Sequence, residues 1–315
     1  MKQWKKIISV CAAIVGLGFL APTPSQAAND LVLNGDAKCT RCHDESGSPE
    51  LLAIGKTKHG TRADSRTPTC TSCHGPSEQH LAKGAKPDRS FSKGASQSSA
   101  QLRDEACTSC HKSGSQMFWS TSTHAARDVT CSDCHQIHKG QDKVRDKRTQ
   151  PEVCYACHKQ QRAEMSKPSR HPVLEGKMSC SDCHNPHGSP GQKQLVRSTV
   201  NETCYTCHME KRGPFINNHQ PVSEDCGICH NPHGTTAPNL LKSRMPFLCQ
   251  ECHEGSRHPS TDASGGLPVA TVARLSPGGR GQMGSVGRGC VNCHTNIHGS
   301  NNPINNGTSG DRLTR

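Results

Sequence analysis

Two cysteines three positions apart, followed at once by a histidine, recur ten times in this chain. The cysteines are Cys39 and Cys42, Cys70 and Cys73, Cys107 and Cys110, Cys131 and Cys134, Cys154 and Cys157, Cys180 and Cys183, Cys204 and Cys207, Cys226 and Cys229, Cys249 and Cys252, and Cys290 and Cys293. The closing histidines are His43, His74, His111, His135, His158, His184, His208, His230, His253 and His294. Two thiols on one helical turn reach the two vinyl groups of a haem, and the next histidine points at the iron from the same side, so the motif is the attachment signal of a c-type haem. A zinc ribbon pairs Cys-x-x-Cys units without a histidine after each, and a redox dithiol needs none either. With histidine at about 6% of the sequence, ten such followers do not arise by accident. The motifs imply ten covalently bound haem c groups per chain.

Ten further histidines lie outside the motifs: His59, His80, His124, His138, His171, His187, His219, His233, His258 and His298. Each falls after one motif and before the next, or after the last. A haem iron with a proximal histidine takes a second axial ligand or stays open. Taken singly, a spare histidine is more often a surface residue than a ligand. Here the one-to-one supply and the unbroken alternation point to bis-histidine ligation, with these ten as the distal ligands. Methionine is the rival ligand, but only six follow the leader and they show no pattern. His138, His187 and His233 stand three residues past a proximal histidine, and three extended residues reach at most about 10 Å. That is too short to round the same haem, so these three must ligate a neighbouring one.

The elements that position these groups have to be built from an unusually polar chain. Only 31% of its 315 residues are hydrophobic and 3% aromatic. Side-chain burial alone does not offset conformational entropy at that composition. The haem plates supply the missing apolar interior, and the apoprotein is not expected to fold. Lys2, Lys5 and Lys6, the apolar run Ile7 to Leu20 and the small-residue site Ser25-Gln26-Ala27 form a secretory leader, residues 1–27, with Ala28 as the expected mature start. The run is short for a membrane span. Val10 before Cys11 is a poor context for lipidation. Removing the leader leaves 20 cysteines, all used by the motifs. No later segment approaches spanning length, since Leu267 to Leu275 is broken by Pro268 and Arg274. Net charge is +12, or +9 without the three leader lysines. Scattered basic residues in an exported chain argue against a nucleic-acid partner; about twenty haem propionates, ionised at neutral pH, are their better partners.

The motifs follow a two-step rhythm. Motifs three, five and seven are followed by a distant histidine, whereas motifs four, six and eight are followed by one three residues on, in His135-Gln-Ile-His138, His184-Asn-Pro-His187 and His230-Asn-Pro-His233. The repeating unit is therefore a motif pair, and the first and last pairs are stretched. The expected fold class is a multihaem cytochrome c with little regular secondary structure: short α-helices and long loops around an extended row of ten haems. Residues 28–315 are expected to form a single elongated domain of five two-haem repeats. Each Cys-x-x-Cys-His should close a helical turn, and Asn-Pro-His-Gly should form a turn. Lys83 to Ser99 and Gly255 to Gly289, rich in Gly, Ser and Pro, read as surface loops.

The repeats Cys180-Ser-Asp-Cys183-His184-Asn-Pro-His187-Gly188 and Asn201-Glu-Thr-Cys204-Tyr-Thr-Cys207-His208, then Glu210-Lys-Arg-Gly-Pro214, resemble the decahaem MtrA/DmsE/PioA-type cytochromes. So do Cys73-His74-Gly-Pro76, Ser169-Arg-His171-Pro172, and Gly289-Cys290-Val-Asn-Cys293-His294 with His298-Gly-Ser-Asn301. The resemblance runs over essentially the whole mature chain. It implies a periplasmic protein held at the outer membrane inside a β-barrel porin. Such a protein passes electrons between periplasmic or inner-membrane quinol-linked cytochromes and an extracellular multihaem cytochrome, iron mineral or terminal reductase. A bilayer core is about 30 Å thick, and irregular polar backbone crosses it only inside protein. The rival reading is a free periplasmic carrier feeding a terminal reductase. A reductase enzyme needs an open iron, marked by a lysine in place of the motif histidine or by a missing distal histidine; neither occurs, and no enzymatic activity is expected.

Overall fold

The computed structural model describes residues 36–61, 66–253, 290–292, 294–302 and 313. The leader 1–27 with Cys11, the start at Ala28, His258, Cys293 and the Gly255 to Gly289 loop lie outside the described residues.

As expected of a multihaem cytochrome c, the described chain consists of short helical turns joined by long connections. Its longest helix is the nine residues Ala100–Thr108. Among the described residues, β pairing is limited to isolated bridges. The segment between the helices Glu78–Lys83 and Ala100–Thr108 runs without a helix. Among the described residues, no helix is long and apolar enough to cross a membrane.

The two motifs of each pair are built differently. The first motif ends a helix: Cys39 lies in Ala37–Thr40, Cys107 in Ala100–Thr108, Cys154 in Gln150–Tyr155, Cys204 in Val200–Cys204 and Cys249 in Phe247–Gln250. The second motif begins one, at Cys70–His74, Cys131–Cys134, Cys180–Asp182, Cys226–Ile228 and Cys290–Asn292. In the first four pairs the residue before the second motif supplies the cap. Thr69 with Ser72, Thr130 with Asp133, and Ser179 with Asp182 form reciprocal capping boxes, and Asp225 accepts from Gly227 N–H. These caps satisfy N–H groups that a single turn leaves without partners. In both kinds of motif the histidine N–H returns to the first cysteine carbonyl, for example His135 to Cys131 at 2.8 Å and His184 to Cys180 at 2.9 Å. The Cys-x-x-Cys-His turn is thus closed by an α-type hydrogen bond.

Two compact units emerge. Of the described residues, 36–61, 66–97 and 137–140 form one, and 98–136, 141–253 and the described residues beyond 253 form the other. In the first, Ile137–Gly140 joins residues far earlier in the chain: His138 Nδ1 donates to the Leu51 carbonyl at 2.7 Å, and Gly140 sits against Lys56. In the second, the same backward reach is made by bridges, Ser169 to Thr235 and Asn217 to Ser300. The loop after a second motif therefore lies against the chain that precedes the second motif one pair earlier.

Apolar side chains form only a small core, in which Tyr155, Met165 and Val173 pack with Met178. The polar composition is matched by buried polar groups such as Asp36, Arg103 and Thr130. Arg103 donates to Thr130 Oγ1 at 2.8 Å.

Candidate functional site: paired imidazoles along the chain

In eight motifs a spare histidine faces the motif histidine. In the first unit His43 faces His80, with ring centroids 6.0 Å apart and planes within 9°, and His74 faces His138 at 6.2 Å. In the second unit His135 faces His187 at 6.0 Å, and His158 faces His124 at 6.1 Å. His184 faces His233 at 6.1 Å, and His208 faces His171 at 6.4 Å. His230 faces His298 at 6.1 Å, and His253 faces His219 at 6.0 Å. A metal–imidazole bond is about 2.0 Å, and a ring nitrogen lies about 1.1 Å from its centroid, so two rings on opposite sides of one metal stand about 6.2 Å apart. The eight observed separations bracket that value.

The remaining site residues are His59, His111, His258 and His294. His59, His111 and His294 take part in interactions in this structure.

Hydrogen bonds orient the rings. Nδ1 of His74 donates to the Arg89 carbonyl at 3.0 Å, that of His184 to Lys193 at 3.0 Å and that of His230 to Asn239 at 2.8 Å. On the facing side, Nδ1 of His124 donates to the Pro186 carbonyl at 2.9 Å and that of His171 to Pro232 at 2.8 Å; His80 uses the Ala85 carbonyl. A carbonyl only accepts, so Nδ1 carries the proton and Nε2 is left with its lone pair for a metal. Burial also holds the rings of His74, His187, His219, His233 and His298 below the usual imidazole range, which favours the neutral, ligating form. Nδ1 of His187, like that of His219, has no hydrogen-bond partner among the described residues, and the Trp119 ring packs edge-on against His187 at 6.3 Å. Trp119 is itself fixed by an N–H bond to Asp104 at 2.8 Å.

Comparison with known proteins agrees with this geometry. Residues 171–213 and 219–258 match the doubled CXXCH motif family, and residues 70–150 match the NrfB-like cytochrome c-type proteins. Over 273 residues the chain is 42% identical to the multiheme cytochrome MtrA of Shewanella baltica, covering 85% of this chain and 79% of that protein. The chain belongs to the MtrA-type multihaem c-type cytochromes. It is an electron-transfer protein that carries covalent haem c.

In this MtrA-type cytochrome the described motif cysteines are all free thiols, as thioether attachment of haem requires. The first cysteines of the two motifs in a pair lie in contact: Cys39 with Cys70, Cys107 with Cys131, Cys154 with Cys180, Cys204 with Cys226 and Cys249 with Cys290. The second cysteines meet across successive pairs, within electrostatic reach of one another: Cys134 of Cys157, Cys183 of Cys207 and Cys229 of Cys252.

Two groups of functional residues escaped the sequence reading. The first holds the motifs of a pair together. Asp36 Oδ2 accepts from Cys70 N–H at 2.8 Å, Asp104 Oδ1 from Cys131 N–H at 3.0 Å, Gln150 Oε1 from Ser181 N–H at 3.0 Å and Asn201 Oδ1 from Cys226 N–H at 2.7 Å. A polar side chain three or four residues before the first motif of each of the first four pairs was the available signal. The second group is the proline carbonyls of Asn-Pro-His, which hold the rings of His124 and His171. The spacing argument placed His138, His187 and His233 on a neighbouring haem. The structure sets them opposite His74, His135 and His184, two motifs back, because the loop that carries each histidine folds against the earlier pair.

Proposed function

We propose that the chain holds ten haems, each between two histidines, and relays electrons along them in motif order without an open iron and without enzymatic activity. The observation that carries this reading is the set of eight imidazole pairs 6.0 to 6.4 Å apart. The bound haems supply the one-electron redox centres. The protein's part is to fix the axial ligands and to space the attachment points. Contact of first cysteines within a pair, and electrostatic reach of second cysteines between pairs, support a row in which motifs three to ten follow one another in sequence order. Rigid ligation on both faces suits electron transfer, since little rearrangement accompanies a change of iron oxidation state.

We further propose that the wire crosses the outer membrane from the periplasm inside a β-barrel porin. It would exchange electrons with quinol-linked cytochromes on one side and an extracellular cytochrome, mineral or terminal reductase on the other. The relationship to MtrA and the loop-rich polar backbone, which crosses lipid only within a protein sheath, support this reading. Intact mass after acid denaturation should correspond to ten haems on a chain starting at Ala28, and a shortfall overturns the count. EPR and near-infrared magnetic circular dichroism should show low-spin bis-histidine iron throughout; a high-spin fraction or a methionine-to-iron band overturns the ligation. In liposomes enclosing a redox dye, the protein and its barrel together should turn the dye over rapidly, and the barrel alone should not. Exchange with soluble periplasmic partners only, with no barrel in the same fractions, establishes the free carrier instead.

A further inference from the structure

The histidine pair at motif four is held unlike the others. Nδ1 of His135 donates to a carboxylate, Asp142 Oδ2, at 2.6 Å. The same carboxylate accepts the Gln136 N–H through Oδ1 at 3.3 Å. The two side chains are largely buried, at 28% and 17% exposure. In the second motifs of pairs one, three and four, a backbone carbonyl takes the same place, from Arg89, Lys193 and Asn239. A neutral carbonyl orients an imidazole. A carboxylate also pulls on its Nδ1 proton, which gives the ring imidazolate character and makes Nε2 a stronger donor to a metal. A full negative charge screened poorly by solvent adds to the preference for the more positive iron state. The ring opposite, His187, has no described Nδ1 acceptor, so the carboxylate acts from one side only.

A weaker version stands at motif six. Glu164 Oε2 lies 3.3 Å from Nδ1 of His233, the ring facing His184. Glu164 is shared with Gln160, which donates to its Oε1 at 3.1 Å, and the longer contact gives less proton pull.

We infer that Asp142 is a positioning residue that sets the haem of motif four at a lower reduction potential than haems whose histidines rest on carbonyls, and that Glu164 does so more weakly for the haem of motif six. Neighbouring sites that share the same bis-histidine ligand set then differ in potential, and the row of centres has a low step in its middle. This rests on the two-histidine reading of motif four.

The test is a potentiometric titration of the purified holoprotein followed by visible absorbance and EPR, comparing wild type with Asp142→Asn, Asp142→Glu and Glu164→Gln. Asn keeps the shape and an acceptor oxygen but removes the charge. In Asp142→Asn, about one tenth of the haem absorbance should move to higher potential. At a fixed potential the oxidised-to-reduced ratio of that haem should fall roughly tenfold, a shift of about 59 mV for one electron. Asp142→Glu should restore most of the wild-type curve, and Glu164→Gln should shift a second tenth by less. In the wild type, near-infrared magnetic circular dichroism should resolve one charge-transfer band displaced from the common bis-imidazole band, as imidazolate character requires; that reading does not depend on any variant folding. A titration curve in Asp142→Asn that superimposes on wild type, with all iron still low-spin, overturns this inference while leaving bis-histidine ligation intact. High-spin iron in the wild type overturns the ligation reading itself. A shift that Asp142→Glu fails to restore shows Asp142 to be structural only and overturns the tuning role.

Discussion

Motif four and motifs six and eight occupy the same place in successive pairs, yet they hold their histidines by different means. After His184 and His230 the chain reads Asn-Pro-His-Gly and turns back on itself. His184 bridges to Leu195 and His230 to Leu241, and Asn185 and Asn231 N–H groups donate to the carbonyls of Gln194 and Leu240 at 2.7 and 2.8 Å. Two consecutive residues take the left-handed conformation to make this return, Lys193 and Gln194 in one loop and Asn239 and Leu240 in the other. The return delivers the Lys193 and Asn239 carbonyls to the proximal rings. After His135 the chain reads Gln-Ile-His-Lys. No left-handed pair and no bridge follow there among the described residues, and Asp142 supplies the acceptor with its side chain. The lesson is that the repeat conserves the ring position while leaving the chemistry behind the ring free. A carbonyl is fixed by the fold, whereas a side-chain carboxylate can be placed at a single site.

The sharpest way to break this comparison is at the glycines. Gly188 and Gly234 have φ of +102° and +147°, and a Cβ would lie 2.5 Å from the Phe118 carbonyl oxygen and 2.2 Å from that of Glu164. Backbone cannot yield as a side-chain end can. Gly188→Ala and Gly234→Ala should each cost about 3 kcal/mol or more, read as a lower guanidinium midpoint of the holoprotein. Lys139 stands at the corresponding position of motif four, exposed and with ordinary backbone. Lys139→Ala should stay within about 0.5 kcal/mol of wild type. Equal effects at the two places would mean that the loops pack alike.

A smaller difference is expected one residue after the proximal histidine. The Asn185 side chain accepts from His187 N–H at 3.2 Å and donates to the carbonyls of Gly188 at 2.7 Å and Ser115 at 3.0 Å. Asn185→Ala should cost about 1–2 kcal/mol. Gln136 holds the same place in motif four, and its Oε1 is buried without a partner. Gln136→Ala should be close to neutral, since it removes a desolvated acceptor. Chemical denaturation of the two variants side by side checks this.

The smallest effect should be a gain. Lys193 is exposed and left-handed, with φ of 52°. Lys193→Gly removes the Cβ strain and should raise stability by up to about 1 kcal/mol, reduced by the greater freedom of glycine in the unfolded chain. Asn239→Gly at the matching position should gain less, because asparagine already tolerates this conformation. Paired denaturation curves measure the difference.

Much of the site was legible in the residues themselves. The motif turns and the one-to-one supply of spare histidines depend on short-range spacing, and short-range spacing is what a sequence displays directly. His138 faces His74 rather than the motif histidine three residues before it, in keeping with the short reach of three residues. What spacing could not convey was the reach of two motifs, from His138 to His74, from His187 to His135 and from His233 to His184. That depends on where each loop docks, at Leu51 and Lys56, at Phe118 and at Glu164. Nor did the residue types reveal that the Pro186 and Pro232 carbonyls clasp His124 and His171, since a backbone carbonyl is present in every residue and marks none.

The sequence by itself determined the cofactor class, the number of Cys-x-x-Cys-His motifs and the matching number of spare histidines, because covalent and coordination chemistry demand particular side chains at particular separations. Tertiary structure alone decided which histidine faces which, how cysteines of successive motifs meet, and which rings rest on a carbonyl and which on a carboxylate. Those choices belong to pairs of segments up to 87 residues apart, as between Leu51 and His138. They are fixed only when loops with unsatisfied hydrogen-bonding groups find their partners in the folded chain.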